Sequence, residues 1–313
     1  MQPADIQAVR RFNRTVAEGI GLIGDRFLDR SRPMGESRIL WEIGPNGIEL
    51  RALRARLGLD SGYLTRVVQS LARQGLLRVR TAAGDRRVRT VLLSARGLRE
   101  RAELDRRSDE VAARLLAPLT DGERGRLLQA MAETERWLRA ALVRFDVEPP
   151  TTPDARWCLR QYVEELGRRF EAGFDPARSL PADPADLALP SGLLVIARLR
   201  GTPVACGALK LHGRAPAELK RMWVSPDVRG LGLGRRLLAS LEGHAGAHGA
   251  AAVRLETNRA LTEAVALYRA SGYREVSPFS DEPYAHHWFE KRLAPARAGR
   301  ARTSRHPGRR ARR

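Results

Sequence analysis

Apolar residues recur at three- and four-residue steps through Ile6, Val9, Phe12, Val16, Ile20, Ile23 and Phe27, which predicts a helix from Ile6 to about Asp29. Arg38–Ile43 reads as a second helix and Glu49–Leu57 as a third, ended by Gly58. Asp60 or Ser61 caps another, Gly62–Gln74, with Leu64, Val67, Val68 and Leu71 as its apolar stripe and Gly75 as its stop. Two short helices joined by a tight glycine-containing turn predict a helix-turn-helix. Leu76–Thr81 and Val88–Leu93 are β-like runs around a polar tip, Ala82–Arg87, and predict a hairpin. Ala95–Leu116 and, behind the capping box of Thr120 and Glu123, Arg124–Val143 are long helical runs.

The helical period is lost at Phe145, and Pro149, Pro150 and Pro153 mark a boundary. Thr152 caps a new amphipathic helix, Asp154–Glu171, carrying Trp157, Leu159, Tyr162, Val163, Leu166 and Phe170. Leu193–Leu199 and Pro203–Leu211 alternate as a hairpin around Arg200-Gly201-Thr202. Glu218–Val224 alternates again, with Leu219, Arg221 and Trp223 expected on one face and Glu218, Lys220, Met222 and Val224 on the other. Pro226 stops that strand, a glycine-rich turn follows, and Arg235–Ala247 is helical. Ala252–Thr257 is a further strand, Leu261–Ser271 a helix stopped by Gly272, and Tyr273–Val276 and His286–Leu293 close the sheet.

The turn at Arg229–Gly234 holds the first chemical signal. Glycines let backbone N–H groups approach a ligand, and the start of the following helix is an anion site. A phosphate or pyrophosphate is the natural guest. The spacing is neither G-x-G-x-x-G nor a loop followed by G-K-[ST]; it is Arg229-x-x-Gly232-x-Gly234.

At 313 residues the chain has room for roughly two domains. Its net charge of +20 is nearly all arginine, with Lys210, Lys220 and Lys291 the only lysines. Residues 1–148 are net +8, residues 149–293 net +4, and the last twenty net +8. A basic first domain and a basic tail point to nucleic acid or another polyanion. Cys158 and Cys206, the only cysteines, make neither a metal spacing nor a disulfide framework, which fits a reducing cytoplasm. No metal site is expected, the N-terminus is too polar for a signal peptide, and no apolar run approaches the ~18 residues of a membrane span.

Two resemblances follow. The segment LRARLGLDSGYLTRVVQSLARQGLLRVRTAAGDRRVRTVLLSARG resembles the winged-helix core of MarR-family regulators, including the D-x-R of the wing at Asp85 and Arg87 and the Ser94-x-x-Gly97 entry to the next helix. The Arg229–Gly234 loop, LETN at Leu255–Asn258 and AVALYRASGY at Ala264–Tyr273 resemble, in order and spacing, the GNAT acetyltransferase superfamily. The expected fold is a mainly α winged helix-turn-helix followed by an α/β acyltransferase fold with a mixed, splayed central sheet. The expected domains are 1–146, a linker at 147–153, 154–293, and a basic disordered tail at 294–313.

The resemblances imply a regulator that binds duplex DNA at a palindromic operator as a homodimer, and an enzyme that moves acetyl from acetyl-coenzyme A to an amine. Tyr63, Thr65, Arg66 and Gln69 would meet base edges in a major groove, and Arg86, Arg87 and Arg89 the minor groove or phosphates. The backbone of Met222 and Val224 would align the pantetheine arm. Arg229, Gly230, Leu231, Gly232, Leu233, Gly234 and Arg235 would hold the pyrophosphate, and Asn258 would bond the cosubstrate or fix a strand end. Tyr268 would protonate the leaving thiolate. Glu218 is the expected base, with Glu256 its rival. Two alternatives stand beside this: a regulator that only senses acetyl-coenzyme A, and an acetyltransferase whose winged helix only dimerises.

Overall fold

The computed structural model describes residues 2–20, 32–81, 88–180 and 183–294. It divides into two compact units, Met1–Leu142 with Arg200–Thr202, and Val143–Leu199 with Pro203–Arg313. The expected tail lies, apart from Ala294, outside the described residues.

The first unit contains α1 (Pro3–Gly19), α2 (Met34–Glu42), β1 (Ile48–Glu49), α3 (Leu50–Leu57), α4 (Ser61–Arg73), β2 (Leu77–Thr81), β3 (Arg89–Leu93), α5 (Ala95–Leu116) and α6 (Asp121–Ala141). The stretch of the first predicted helix beyond Ile20 is outside the described residues. Asp60 caps α4 by accepting the N–H groups of Gly62 and Tyr63, and those bonds hold its carboxyl below the usual range. Leu64, Val68 and Leu71, one face of α4, are buried with Ile39, Leu40, Leu53, Leu76, Val91 and Leu104. β1, too short to leave a periodic signal, pairs with β3 in a three-stranded sheet ordered β1-β3-β2.

The second unit contains β4 (Arg144–Val147), α7 (Pro153–Arg169), β5 (Gly192–Leu199), β6 (Thr202–Lys210), β7 (Ala217–Val224), α8 (Leu233–Ala247), β8 (Ala252–Thr257), α9 (Thr262–Ala270), β9 (Arg274–Glu275) and β10 (His287–Arg292). One seven-stranded mixed sheet runs β4-β5-β6-β7-β8-β10-β9. β4 falls on residues expected to end the first domain and begin a linker. Instead it adds an antiparallel edge to β5, and Arg236 lies over its Phe145 ring. Arg198 of β5 bonds Glu148 and Asp154, which ties the proline segment down. Ala155 and Cys158 of α7 are buried against Leu194, Ile196, Cys206, Ala208 and Trp223 of the sheet.

Two departures from regular pairing make the site. Arg221 has φ of +55° and lies at a bulge, where Cys206 pairs with Trp223 but Ala208 with Lys220. Ahead of the bulge β7 and β8 run parallel and match at only Ala217–Val253 and Glu218–Arg254. The two strands separate after Glu218 and leave a cleft between them.

Candidate active site and candidate nucleic-acid face

β7 ends at Val224, and a single turn at Pro226–Val228 leads into the glycine loop. Gly232 caps α8 with φ of +71°, a left-handed conformation that a side chain disfavours. The first bond into α8 runs from the Arg236 N–H to the Gly232 carbonyl. The N–H groups of Leu233, Gly234 and Arg235 lie ahead of that bond, at the positive end of the helix. Leu231 and Leu233 are buried while Gly232 and Arg235 are exposed, so backbone and a cation face outward. A Cβ on Gly234 would come within 3.2 Å of Leu267, which fixes that position for packing.

Arg229 is held by the protein itself. It donates Nε–H to the Val224 carbonyl at 3.0 Å and pairs through Nη2 with the buried Glu165 of α7. Glu165 also accepts the Trp223 indole N–H at 2.8 Å and lies 3.6 Å from Arg169. Arg169 in turn reaches Glu263 at the start of α9. One carboxylate thus braces β7, the loop and the helix that carries Tyr268. The sequence signal for it is slight: an acid three residues after Tyr162 on an otherwise apolar stripe.

The cleft encloses about 100 Å³. Lys220, Arg221 and Met222 line one side, Glu256, Thr257 and Asn258 the other, and Tyr268 closes the α9 end. Phe170, Phe174 and Tyr284 form an aromatic wall with ring centroids 4.9–5.8 Å apart. Phe170 ends the predicted stripe of α7, while Phe174 and Tyr284 come from segments without periodicity to find. Glu282 orders them, accepting from the Ser179 hydroxyl at 2.9 Å and the N–H of Leu180 at 2.8 Å.

Tyr268 is buried, with its hydroxyl 3.8 Å from the Met222 sulfur. Burial, then the Tyr162 and Glu256 groups nearby, push its phenol well above the usual range. Glu256 also lines the cleft. One of its oxygens pairs with Lys220; the other is buried with no hydrogen-bond partner. Glu218, the expected base, is not among the lining residues. It sits before the bulge, where β7 and β8 still pair, bonded to Arg254 at 2.6 Å. Burial alone would raise its pKa, but Arg254, Lys220 and His212 outweigh that and hold it below the usual range. Asn258 lines the cleft, yet its amide is committed: Nδ2 donates to the Tyr284 carbonyl and Oδ1 accepts the Ala260 N–H, both at 2.8 Å.

On the first unit, Arg66 and Gln69 are exposed on α4. Thr65 turns its hydroxyl back to the Ser61 carbonyl at 2.7 Å. Tyr63, half exposed, rests its hydroxyl over Gly35 of α2. Arg89 stands at the base of the hairpin, paired with Thr81. Arg86 and Arg87 lie outside the described residues. α1 buries none of its residues, and Ile6, Val9, Phe12 and Val16 are exposed along it. Among the described residues no helix is long and apolar enough to cross a membrane.

Comparison with known proteins bears on both units. Residues 159–273 match the model of the acetyltransferase (GNAT) family, and residues 29–88 that of the MarR family. The chain is 38% identical over 125 residues to an IAA acetyltransferase of Azospirillum brasilense, covering 40% of this chain and 80% of that one. It is 34% identical over 134 residues to the N-alpha-acetyltransferase RimI of Mycobacterium tuberculosis, covering 42% and 82%. Among solved structures, the PcaV transcriptional regulator of Streptomyces coelicolor is 22% identical with a TM-score of 0.33, over 43% of this chain and 92% of that one.

Proposed function

We propose, starting from the fact that the chain belongs to the acetyltransferase (GNAT) family and carries a MarR-family segment ahead of that match, that it is a DNA-binding acetyltransferase acting on an amine. The observation that carries the catalytic half is the meeting of Tyr268, Glu256 and the backbone of Met222 in one cleft beside an outward-facing helix start. Acetyl-coenzyme A is the acetyl donor, and the residues present fit it: the amides of Leu233–Arg235 at the start of α8 and the exposed Arg235 cation suit a pyrophosphate. Gly230 and Gly232 let the backbone approach it, and Arg229, tied to Glu165, keeps the loop in shape.

Transfer forms a C–N bond, breaks the thioester C–S bond, and moves one proton off nitrogen and one onto sulfur. Glu256 takes the first, because it lines the cleft and one of its oxygens has no hydrogen-bond partner. Tyr268 gives the second. The burial that keeps its proton in place also makes a departing thiolate more basic than the ~8.5 of a free thiol. Thiol release with amine acceptors tests this. Tyr268→Phe lowers kcat by about 100-fold; an unchanged kcat at saturating substrates removes Tyr268 from the mechanism and favours a domain that only senses acetyl-coenzyme A.

The first unit binds duplex DNA through the N-terminal part of α4 and the hairpin, with Tyr63, Arg66 and Gln69 toward bases and Arg86, Arg87 and Arg89 toward the backbone. A second copy covers the exposed stripe of α1 with Leu128, Met131, Trp137 and Leu138 of α6, which pairs two such helices for a palindromic site. Duplex binding across a salt series tests this half. A steep fall of affinity with salt, made shallower by about one unit in Arg66→Ala, supports phosphate and base contact. Salt-independent binding, or none, leaves the winged helix a dimerisation element.

A further inference from the structure

The cleft holds four charged side chains, and three of them are occupied. Lys220 and Glu256 neutralise each other. Glu282 is consumed by the segments it orders, accepting from Ser179, Leu180 and the Tyr284 N–H. Arg221 remains. Among the described residues no carboxylate lies within ion-pair distance of it; its guanidinium engages only the neutral Tyr162, 5.6 Å from the ring centre and in reach of the hydroxyl. It is half-buried and lines the cleft. Its backbone is left-handed at φ of +55°, a conformation unfavourable to a residue with a side chain. Asparagine or glycine would relieve that strain. A side chain kept at a strained bulge, charged, partly desolvated and without a carboxylate partner among the described residues, is arranged for an anion that arrives with a ligand.

The wall beside it is apolar. Phe170, Phe174 and Tyr284 pack edge-on and tilted against one another, joined in the lining by Leu166, Leu180 and Leu261. The proton acceptor, Glu256, and the donor, Tyr268, lie across the same space. A ligand that satisfies all three features has an amine for Glu256, a carboxylate for Arg221 and an apolar body for the wall.

Resting on the acetyl-transfer reading above, we infer that the acceptor is a free α-amino acid with an apolar or aromatic side chain, and that Arg221 determines this specificity by pairing with its carboxylate. A guanidinium can grip a carboxylate with two parallel N–H donors, which fixes the amine in direction as well as in place. Arg221 touches neither the reacting nitrogen nor the sulfur in this reading; it binds the acceptor. Its loss therefore falls on acceptor KM and leaves transfer to an acceptor lacking a carboxylate untouched.

The experiment uses the full chain and compares matched pairs: L-phenylalanine with 2-phenylethylamine, and L-leucine with 3-methylbutylamine, by thiol release at saturating acetyl-coenzyme A. The wild type is expected to acetylate the amino acids with KM at least about tenfold below that of the matched amines, the ratio for one charge-assisted pair. Arg221→Gln raises the amino-acid KM by about tenfold or more and leaves the amines unchanged, and Arg221→Lys recovers part of the loss. Calorimetric titration of each variant with acetyl-coenzyme A reports whether it is folded and shows the same Kd as the wild type. Equal KM for both members of a pair overturns the inference. So does a weakened acetyl-coenzyme A Kd in Arg221→Gln, which assigns the cation to the donor. So does a wild type that binds acetyl-coenzyme A but acetylates none of the four. Failure of the wild type to bind acetyl-coenzyme A at all refutes the underlying acetyl-transfer reading, and the inference falls with it.

Discussion

Glu165 offers the most demanding perturbation, because it acts on the cosubstrate loop from another element. Its side chain is 11% exposed, and it receives the Trp223 indole and the Arg229 guanidinium, with Arg169 at 3.6 Å. Both donors already share Oε2, so Glu165→Gln, which preserves volume, leaves them an oxygen but removes the charge that Arg229 pairs with. The displaced amide N–H₂ then faces a cation. A hydrogen bond to a charged group contributes about 1.5–3 kcal/mol. Arg229 is 41% exposed, so water recovers part of its share. A net loss of about 2 kcal/mol is expected, which for a unit of this size lowers Tm by about 4–8 °C. The assay is a double-mutant cycle by thermal unfolding on the wild type, Glu165→Gln, Arg229→Ala and the double variant. If the two residues act as one brace, the cycle returns a coupling of about 1–2 kcal/mol, and either single change weakens acetyl-coenzyme A binding. Additivity within about 0.3 kcal/mol would refute the brace and return Arg229 to the role of a free cation on the loop.

Three further outcomes follow from the same geometry. The depressed Glu218 carboxyl contributes stability that is full above the ordinary value of 4.5 and is lost as pH falls through its lowered folded value; Glu218→Gln should therefore cost Tm at pH 7 and progressively less in acid, and a pH-independent difference contradicts the ion-pair account. A Cβ on Gly35 would stand 2.5 Å from the Tyr63 hydroxyl, so Gly35→Ala should displace Tyr63 and change duplex affinity, while Tyr63→Phe with Gly35→Ala restores the fold's Tm; an unaltered affinity in Gly35→Ala removes Tyr63 from the interface. Replacing Phe174 by alanine opens the aromatic wall, and acceptor KM should rise with kcat unchanged in thiol release; an equal fall in kcat would mean that the wall positions the reacting groups instead.

The sequence carried most of the elements because their causes are local. The face of Leu64, Val68 and Leu71, the cap, which falls on Asp60 of the two residues offered, and the strand at Ala252–Thr257 are each properties of a short stretch, and each is where the local pattern predicted it. What escaped has non-local causes. β4 is a strand because β5 offers an unpaired edge and Arg198 holds Glu148 and Asp154 beside it; its own four residues look like a linker. Alternation put Lys220 and Arg221 on opposite faces of β7, but the bulge breaks the period, and Lys220, Arg221 and Met222 all reach the cleft. The same break leaves Glu218 behind, facing Arg254. Phe174 and Tyr284 of the cleft's aromatic wall sit on segments without a repeat, ordered by one glutamate whose Ser179 and Leu180 partners lie about a hundred residues away in the chain. Glu165 is hidden for the converse reason: it occupies a buried position in a helix whose pattern asks for an apolar residue, and only its three partners explain it.

The central claim is that the loop from Arg229 to Arg235 receives acetyl-coenzyme A by its backbone. Gly232 bears that claim most directly, since its φ of +71° and open surroundings leave room for a ligand and none for a like charge. Calorimetric titration of acetyl-coenzyme A into the wild type and into Gly232→Asp measures it. Saturable one-site binding to the wild type and its loss in the variant are expected, with Tyr268→Phe binding as the wild type does. Equal binding by Gly232→Asp, or no binding by the wild type, contradicts it.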